Sequence, residues 1–259
     1  MDRRISGPYF LALLLAPVAA GLRLWSLAAA VDELGLPAMH ISVWCLIAVG
    51  AVFLLLSLAL AVRSPGRSGR RQVLHYGAGG FGCAAAAGAL ILLSSILDFA
   101  RELSEGPVFT TVPLLLLGLA GGIGLMAAAW ARKSPDRRMP GAEILPVVYF
   151  LIKLILCFKG WSTDPVILDY CVQLFGLIFV LLAFLRGAGF SLDQGKPRKT
   201  LFLSMGCVFF SAAAMMDGIA ALRPDIILLF AGTLLWQLPL IWDLCVPASD
   251  LPEPPAQDP

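Results

Sequence analysis

The chain has 259 residues, of which 59% are hydrophobic and 14% charged. A soluble domain averages roughly 45–50% apolar and about 25% charged residues, so lipid must be the solvent for much of this surface, and a water-soluble enzyme or binding domain is excluded. The net charge of +2 says little as a total; its distribution along the chain says more.

Eight apolar stretches follow one another, most of them near the roughly 20 residues that a spanning helix needs. The first covers 8–30, behind Arg3 and Arg4, and carries Arg23. Its basic start and small residues at Ala16, Val18 and Ala20 resemble a signal peptide. Apolar sequence resumes after Arg23, which suits a longer, uncleaved helix. The second covers 41–62 and the third 77–99, opening on GAGGFGCAAAAG and closing at Asp98, one turn after Ser94 and Ser95. Gly77, Gly79 and Gly82 formally match GxGxxG, but that motif binds a dinucleotide only after a strand in a βαβ unit. Here it reads as a small-residue face. Gly80, Ala84 and Gly88 repeat every four residues, and Gly118 and Gly122 do the same in the fourth stretch, 108–131. Small residues let backbones approach in lipid, so the third and fourth helices are expected in direct contact.

The fifth stretch, 144–158, is the shortest; Pro146, Tyr149, Lys153 and Cys157 share one face of it. In the sixth, 165–185, Asp169, Gln173 and Gly176 share a face. In the seventh, 200–221, Gly206, Ala213 and Asp217 do so, and the acid is the one large polar group there. The eighth, 225–246, has a milder polar pair, Thr233 and Gln237. Residues 1–246 thus read as one all-α transmembrane bundle of about eight helices, and 247–259, Pro-rich and acidic, as a disordered tail.

Basic residues alternate sharply from one connection to the next. Arg3 and Arg4; Arg63, Arg67, Arg70 and Arg71; Arg132, Lys133, Arg137 and Arg138; and Arg186, Lys196, Arg198 and Lys199 fall on one side. Only Arg101, Lys159 and Arg223 fall on the other, with Asp32, Glu33, Glu102, Glu105 and Asp164. The positive-inside rule makes the basic side cytoplasmic, so both ends of the chain are predicted inside. The arginines are accounted for by topology and anionic lipid headgroups, and call for no nucleic acid.

Ionisable groups within a span are costly to insert, and so are the candidate functional residues. They are Arg23, Asp98, Lys153, Asp169 and Asp217, with Gln173 beside Asp169. All are expected in the outer half of the membrane, with no comparable charges in the inner half. Lys153 and Arg23 are the available partners for Asp217, and a Lys153–Asp169 pair across a short hairpin is a structural alternative. His40 and His75 lie on opposite sides and cannot share a site. The six cysteines read as apolar packing residues, and no metal, cofactor or catalytic motif is found.

The segment KGWSTDPVILDYCVQLFGLIFVLLAFLRGAGFSLDQGKPRKTLF, 159–202, resembles a stretch recurring in an uncharacterised group of bacterial polytopic membrane proteins. The resemblance implies a bacterial inner-membrane origin; it implies no activity and carries over no functional residue. The expected function is binding or transport of a small solute through a polar pocket open to the outside, alone or beside a membrane or ATPase partner subunit. The alternative is a non-transporting sensor or assembly scaffold with structural ion pairs. An intramembrane enzyme would need a nucleophile or metal ligands that the sequence does not offer.

Overall fold

The computed structural model describes residues 7–29, 41–64, 77–105, 111–133, 139–162, 170–192 and 194–245. Its eight helices are α1 (Gly7–Ala29), α2 (Ile41–Arg63), α3 (Ala78–Glu105), α4 (Thr111–Lys133), α5 (Pro140–Trp161), α6 (Cys171–Ser191), α7 (Pro197–Ala220) and α8 (Pro224–Cys245). All eight are long and apolar enough to cross a membrane, and the chain is an all-α integral membrane protein. Two ends of the bundle can be told apart by sequence: the basic end, where the Arg/Lys-rich connections lie, and the opposite end. The tail 247–259 lies outside the described residues.

Neighbour contacts close a circuit of six helices, α3–α4–α5–α6–α7–α8 and back to α3. Its interior is filled by Ile91, Leu125, Phe150, Val180, Phe184 and Trp236, all essentially inaccessible. α1 and α2 pack outside the circuit against α7, over a second core with Phe53, Met205, Phe209 and Leu240. That double contact makes α7 the most buried span.

Small residues bring the backbones together where the sequence places them. A Cβ on Gly122 would stand 2.8 Å from the Gly88 carbonyl oxygen and 2.8 Å from Leu92 Cβ. One on Gly118 would run into the Ser95 side chain. α3 and α4 are therefore in direct contact, as expected. α3 also meets α8 closely, since a Cβ on Gly232 would reach the Ala87 carbonyl at 3.0 Å.

Three boundaries differ most from the expectation; α6 runs on to Ser191, six residues past 185. α3 has 28 residues and is about 42 Å long, so Asp98 lies two turns before its end rather than closing it. α5 has 22 residues, opening at Pro140 rather than near 144. Proline suits a first helical turn, where its missing N–H has no partner to lose.

Candidate functional site

Asp98 is the hub of the largest charge cluster among the described residues. Its side chain is buried, 6% exposed, and points from α3 toward α5 and α8. Lys153 Nζ donates to Asp98 Oδ2 at 2.7 Å. Asp98 Oδ1 faces Arg223 Nη2 at 3.6 Å and Arg101 Nη2 at 3.8 Å. Arg223 in turn donates to Asp225 Oδ2 at 2.6 Å. Three cations and two carboxylates thus meet from α3, α5, the α7–α8 turn and α8.

Lys153 was expected beside Asp217 or, across a short hairpin, Asp169, which lies outside the described residues. Its described partner is Asp98 rather than Asp217, because the face carrying Pro146, Tyr149 and Lys153 packs against α3 and α4. Lys153 is 8% exposed, so it is held inside rather than reaching for headgroups.

Arg223, like Arg101, reads as a connection residue in the sequence, yet it joins the cluster. The α7–α8 connection is only a few residues long, with Leu222 in the left-handed region at φ 53°. Arg223 N–H donates to the Gly218 carbonyl at 2.7 Å, which folds the turn back and sets the guanidinium above Asp98 and Asp225. Burial would depress the Arg223 guanidinium, but its hydrogen bond to Asp225 and the nearby carboxylates more than offset this and raise it.

Hydroxyl groups fasten the frame around the cluster. Ser94 Oγ donates to the Asp225 carbonyl at 2.7 Å and ties α3 to the start of α8. Ser95 Oγ donates to the Ile91 carbonyl at 2.9 Å and lies 3.3 Å from Tyr149 Oη. Asp98, Ser95, Glu102, Thr111 and Tyr149 line a crevice between α3, α4 and α5, toward the end of the bundle opposite the basic connections. The crevice is too narrow to seat a water molecule.

Asp217 and Arg23 form a second cluster. Arg23 Nε donates to Asp217 Oδ1 at 2.6 Å, joining α1 to α7, and both side chains are buried. Arg23 is one of the two partners the sequence offered. Neither residue lines the crevice. Among the described candidates, only Asp98 lines the crevice. Asp98 and Lys153 belong to one cluster, Arg23 and Asp217 to another. Gln173 is half-buried on the first turn of α6 and joins neither. Asp169 lies outside the described residues.

A buried ion pair also stands near the basic end, where no comparable charge was expected. Near the basic end Arg132 Nε donates to Glu143 Oε1 at 3.2 Å, and both side chains are at most 4% exposed. The guanidinium carbon of Arg132 lies 4.6 Å from the centre of the Trp236 ring, which stacks on Phe184 at 5.9 Å. Arg132 had been assigned to the basic connection. It is instead inside α4 and turned into the six-helix circuit.

No family model, curated protein or solved structure matches the chain.

Proposed function

We propose that this is a multi-pass protein of a bacterial cytoplasmic membrane, with its basic connections inside, that binds or carries a small polar solute at the Asp98 cluster. The observation that carries the reading is the meeting of Lys153, Arg101 and Arg223 around one buried carboxylate, Asp98, which lines the crevice. A structural ion pair needs one cation. A carboxylate facing three, from three elements, is a junction whose partners can be exchanged. A solute acid, amine or hydroxyl entering the crevice would replace one of these contacts and let the helices part. The narrow crevice fits a closed state of such a binder. Substrate and ion sites of membrane proteins characteristically use intramembrane charges of this kind.

The test is a thermal-shift screen of the purified protein in detergent against small acids, amines, sugars and amides. A specific hit should stabilise the wild type and the Arg23→Met/Asp217→Leu double variant, yet fail to stabilise Asp98→Asn or Lys153→Met. Uptake of that hit into proteoliposomes then separates carriage from binding.

A second reading is a non-transporting sensor or assembly subunit. The Arg23–Asp217 pair favours it, since it joins α1 to α7 away from the crevice. Under this reading no solute shifts the melting temperature, and Asp98→Asn lowers it as much as any loss of a buried pair.

A further inference from the structure

Away from both charged ends, the α7–α8 contact holds a row of uncharged polar side chains. Thr233 Oγ1 donates to the Phe230 carbonyl at 2.8 Å and lies 3.1 Å from Ser211 Oγ. Ser211 Oγ lies 3.7 Å from Cys207 Sγ. α7 and α8 run antiparallel, so one turn from this contact toward the basic end the level holds Gln237 on α8 and Cys207 on α7. Ser204 follows, about one turn further on the same face of α7. Ser204, Ser211, Thr233 and Gln237 are all 0% exposed.

This row is not closed on itself. Both amide atoms of Gln237, Oε1 and Nε2, and the hydroxyl of Ser204 find no hydrogen-bond partner among the described residues. Pro239 adds to the deficit. It has no N–H, so the Leu235 carbonyl loses its helical donor two residues before Gln237. A primary amide gives up water at both ends when it is buried, and neither lipid nor an apolar core repays it. A position that only needed filling would take Leu or Met, of similar volume and no polar cost.

We infer that Gln237, with the hydroxyls of Ser204, Ser211 and Thr233, forms a second polar site inside the bundle for a small uncharged guest that both donates and accepts hydrogen bonds. The amide supplies one acceptor and two donor hydrogens, and the hydroxyls supply either. No carboxylate, ammonium or guanidinium belongs to the set, so a charged guest would find no counter-charge. A resident water and a solute bearing a hydroxyl or amide share this chemistry. The inference is independent of the Asp98 reading, because it uses none of the same residues.

The experiment uses full-length protein purified in detergent, with two readouts and acetamide as the probe solute. The first readout is radiolytic labelling in 18O-water, followed at Cys207, which is 0% exposed and reachable only by a guest held beside it. The second is the melting temperature. Wild-type Cys207 should take up 18O, and Gln237→Met should lose most of that label and melt several degrees lower, since a hydrogen-bonded guest has been lost. Acetamide without effect on either readout identifies the guest as resident water. Acetamide that raises the wild-type melting temperature and displaces the label, but leaves Gln237→Met unchanged, identifies a solute site. If Gln237→Met fails to accumulate, Ser204→Ala removes a single hydroxyl and carries the same two readouts. A variant that melts at or above the wild type, or a wild-type Cys207 that takes up no 18O, overturns the inference.

Discussion

Asp217 shows what one buried charge asks of its surroundings. It sits one turn from the end of α7 with its carboxylate against Arg23, and both side chains are nearly inaccessible. Removing one member of such a pair leaves the other charged and unmatched, which costs about 3–5 kcal/mol, whereas replacing both by apolar groups is often close to neutral. Asp217→Asn is therefore expected to destabilise by about 3 kcal/mol, and Asp217→Leu combined with Arg23→Met to recover most of that loss. Unfolding free energies of the two singles and the double, by denaturant titration in mixed micelles, check the cycle. Lys153→Met should give no rescue, because Lys153 is bound to Asp98. The sequence narrowed the partner of Asp217 to Arg23 or Lys153 by depth alone. Depth could not choose between them, since the choice depends on which helix lies beside α7.

Leu222 is a smaller instance of the same kind. It holds φ 53° and is 88% exposed, so its side chain is spent on neither packing nor comfortable backbone. The left-handed region costs an ordinary residue roughly 1–2 kcal/mol and is tolerated better by Asn. Leu222→Asn is expected to stabilise by up to about 1 kcal/mol, and the β-branched Leu222→Val to destabilise by a similar amount. Equal melting temperatures for the two variants would show that the turn relaxes freely. The turn also explains why Arg223 was not foreseen in the site. Nothing in Ala221, Leu222 and Arg223 announces a left-handed residue, as a glycine would have done.

Helices pair here through the residues that are missing side chains. The α3–α4 contact was legible because Gly118 and Gly122, with Ala84 and Gly88, recur every four residues, and a period of four is a stripe on one helix face. At Gly122 the neighbours are the Gly88 carbonyl and Leu92, a backbone atom and a packed side chain, so the clash cannot be relieved by turning a rotamer. Gly122→Leu should force α3 and α4 apart and cost at least about 1–3 kcal/mol. Melting temperature and membrane yield of Gly122→Leu, set against Gly79→Leu, where a Cβ meets nothing within 4 Å, measure it. Wild-type values for Gly122→Leu would mean the close contact is absent. The Arg132–Glu143 pair was hidden from the same kind of reading. Arg132 stands beside Lys133 at the end of an apolar run and looks like the first residue of a basic connection. Only the continuation of α4 to Lys133 and the approach of α5 and α8 show that it turns inward.

At the scale of the whole molecule, the charges fall into two populations with different work. Those in the connections set orientation; those inside the bundle close its two ends, Lys153 and Arg223 around Asp98 at one and Arg132 with Glu143 at the other. Moving Arg132 and Arg223 from the first population to the second leaves thirteen Arg and Lys on the basic side against Arg101 and Lys159 opposite. That excess still dominates, because the rule counts cations near the ends of spans and acids contribute little. The proposed orientation therefore rests on the connections alone and does not depend on how the buried pairs are arranged. Cysteines placed at Gln194, Asp136 and Arg67 should be protected from an impermeant maleimide in intact cells, and those placed at Ser104 and Ser162 should react. Neutralising Lys159 or Arg101 should leave the pattern as it is, whereas replacing Arg67, Arg70 and Arg71 together should expose a fraction of the 67 site. External labelling at position 136 in the otherwise intact chain would reverse the topology. The Asp98 crevice would then lie toward the cytoplasm, and the Arg132–Glu143 end would face out.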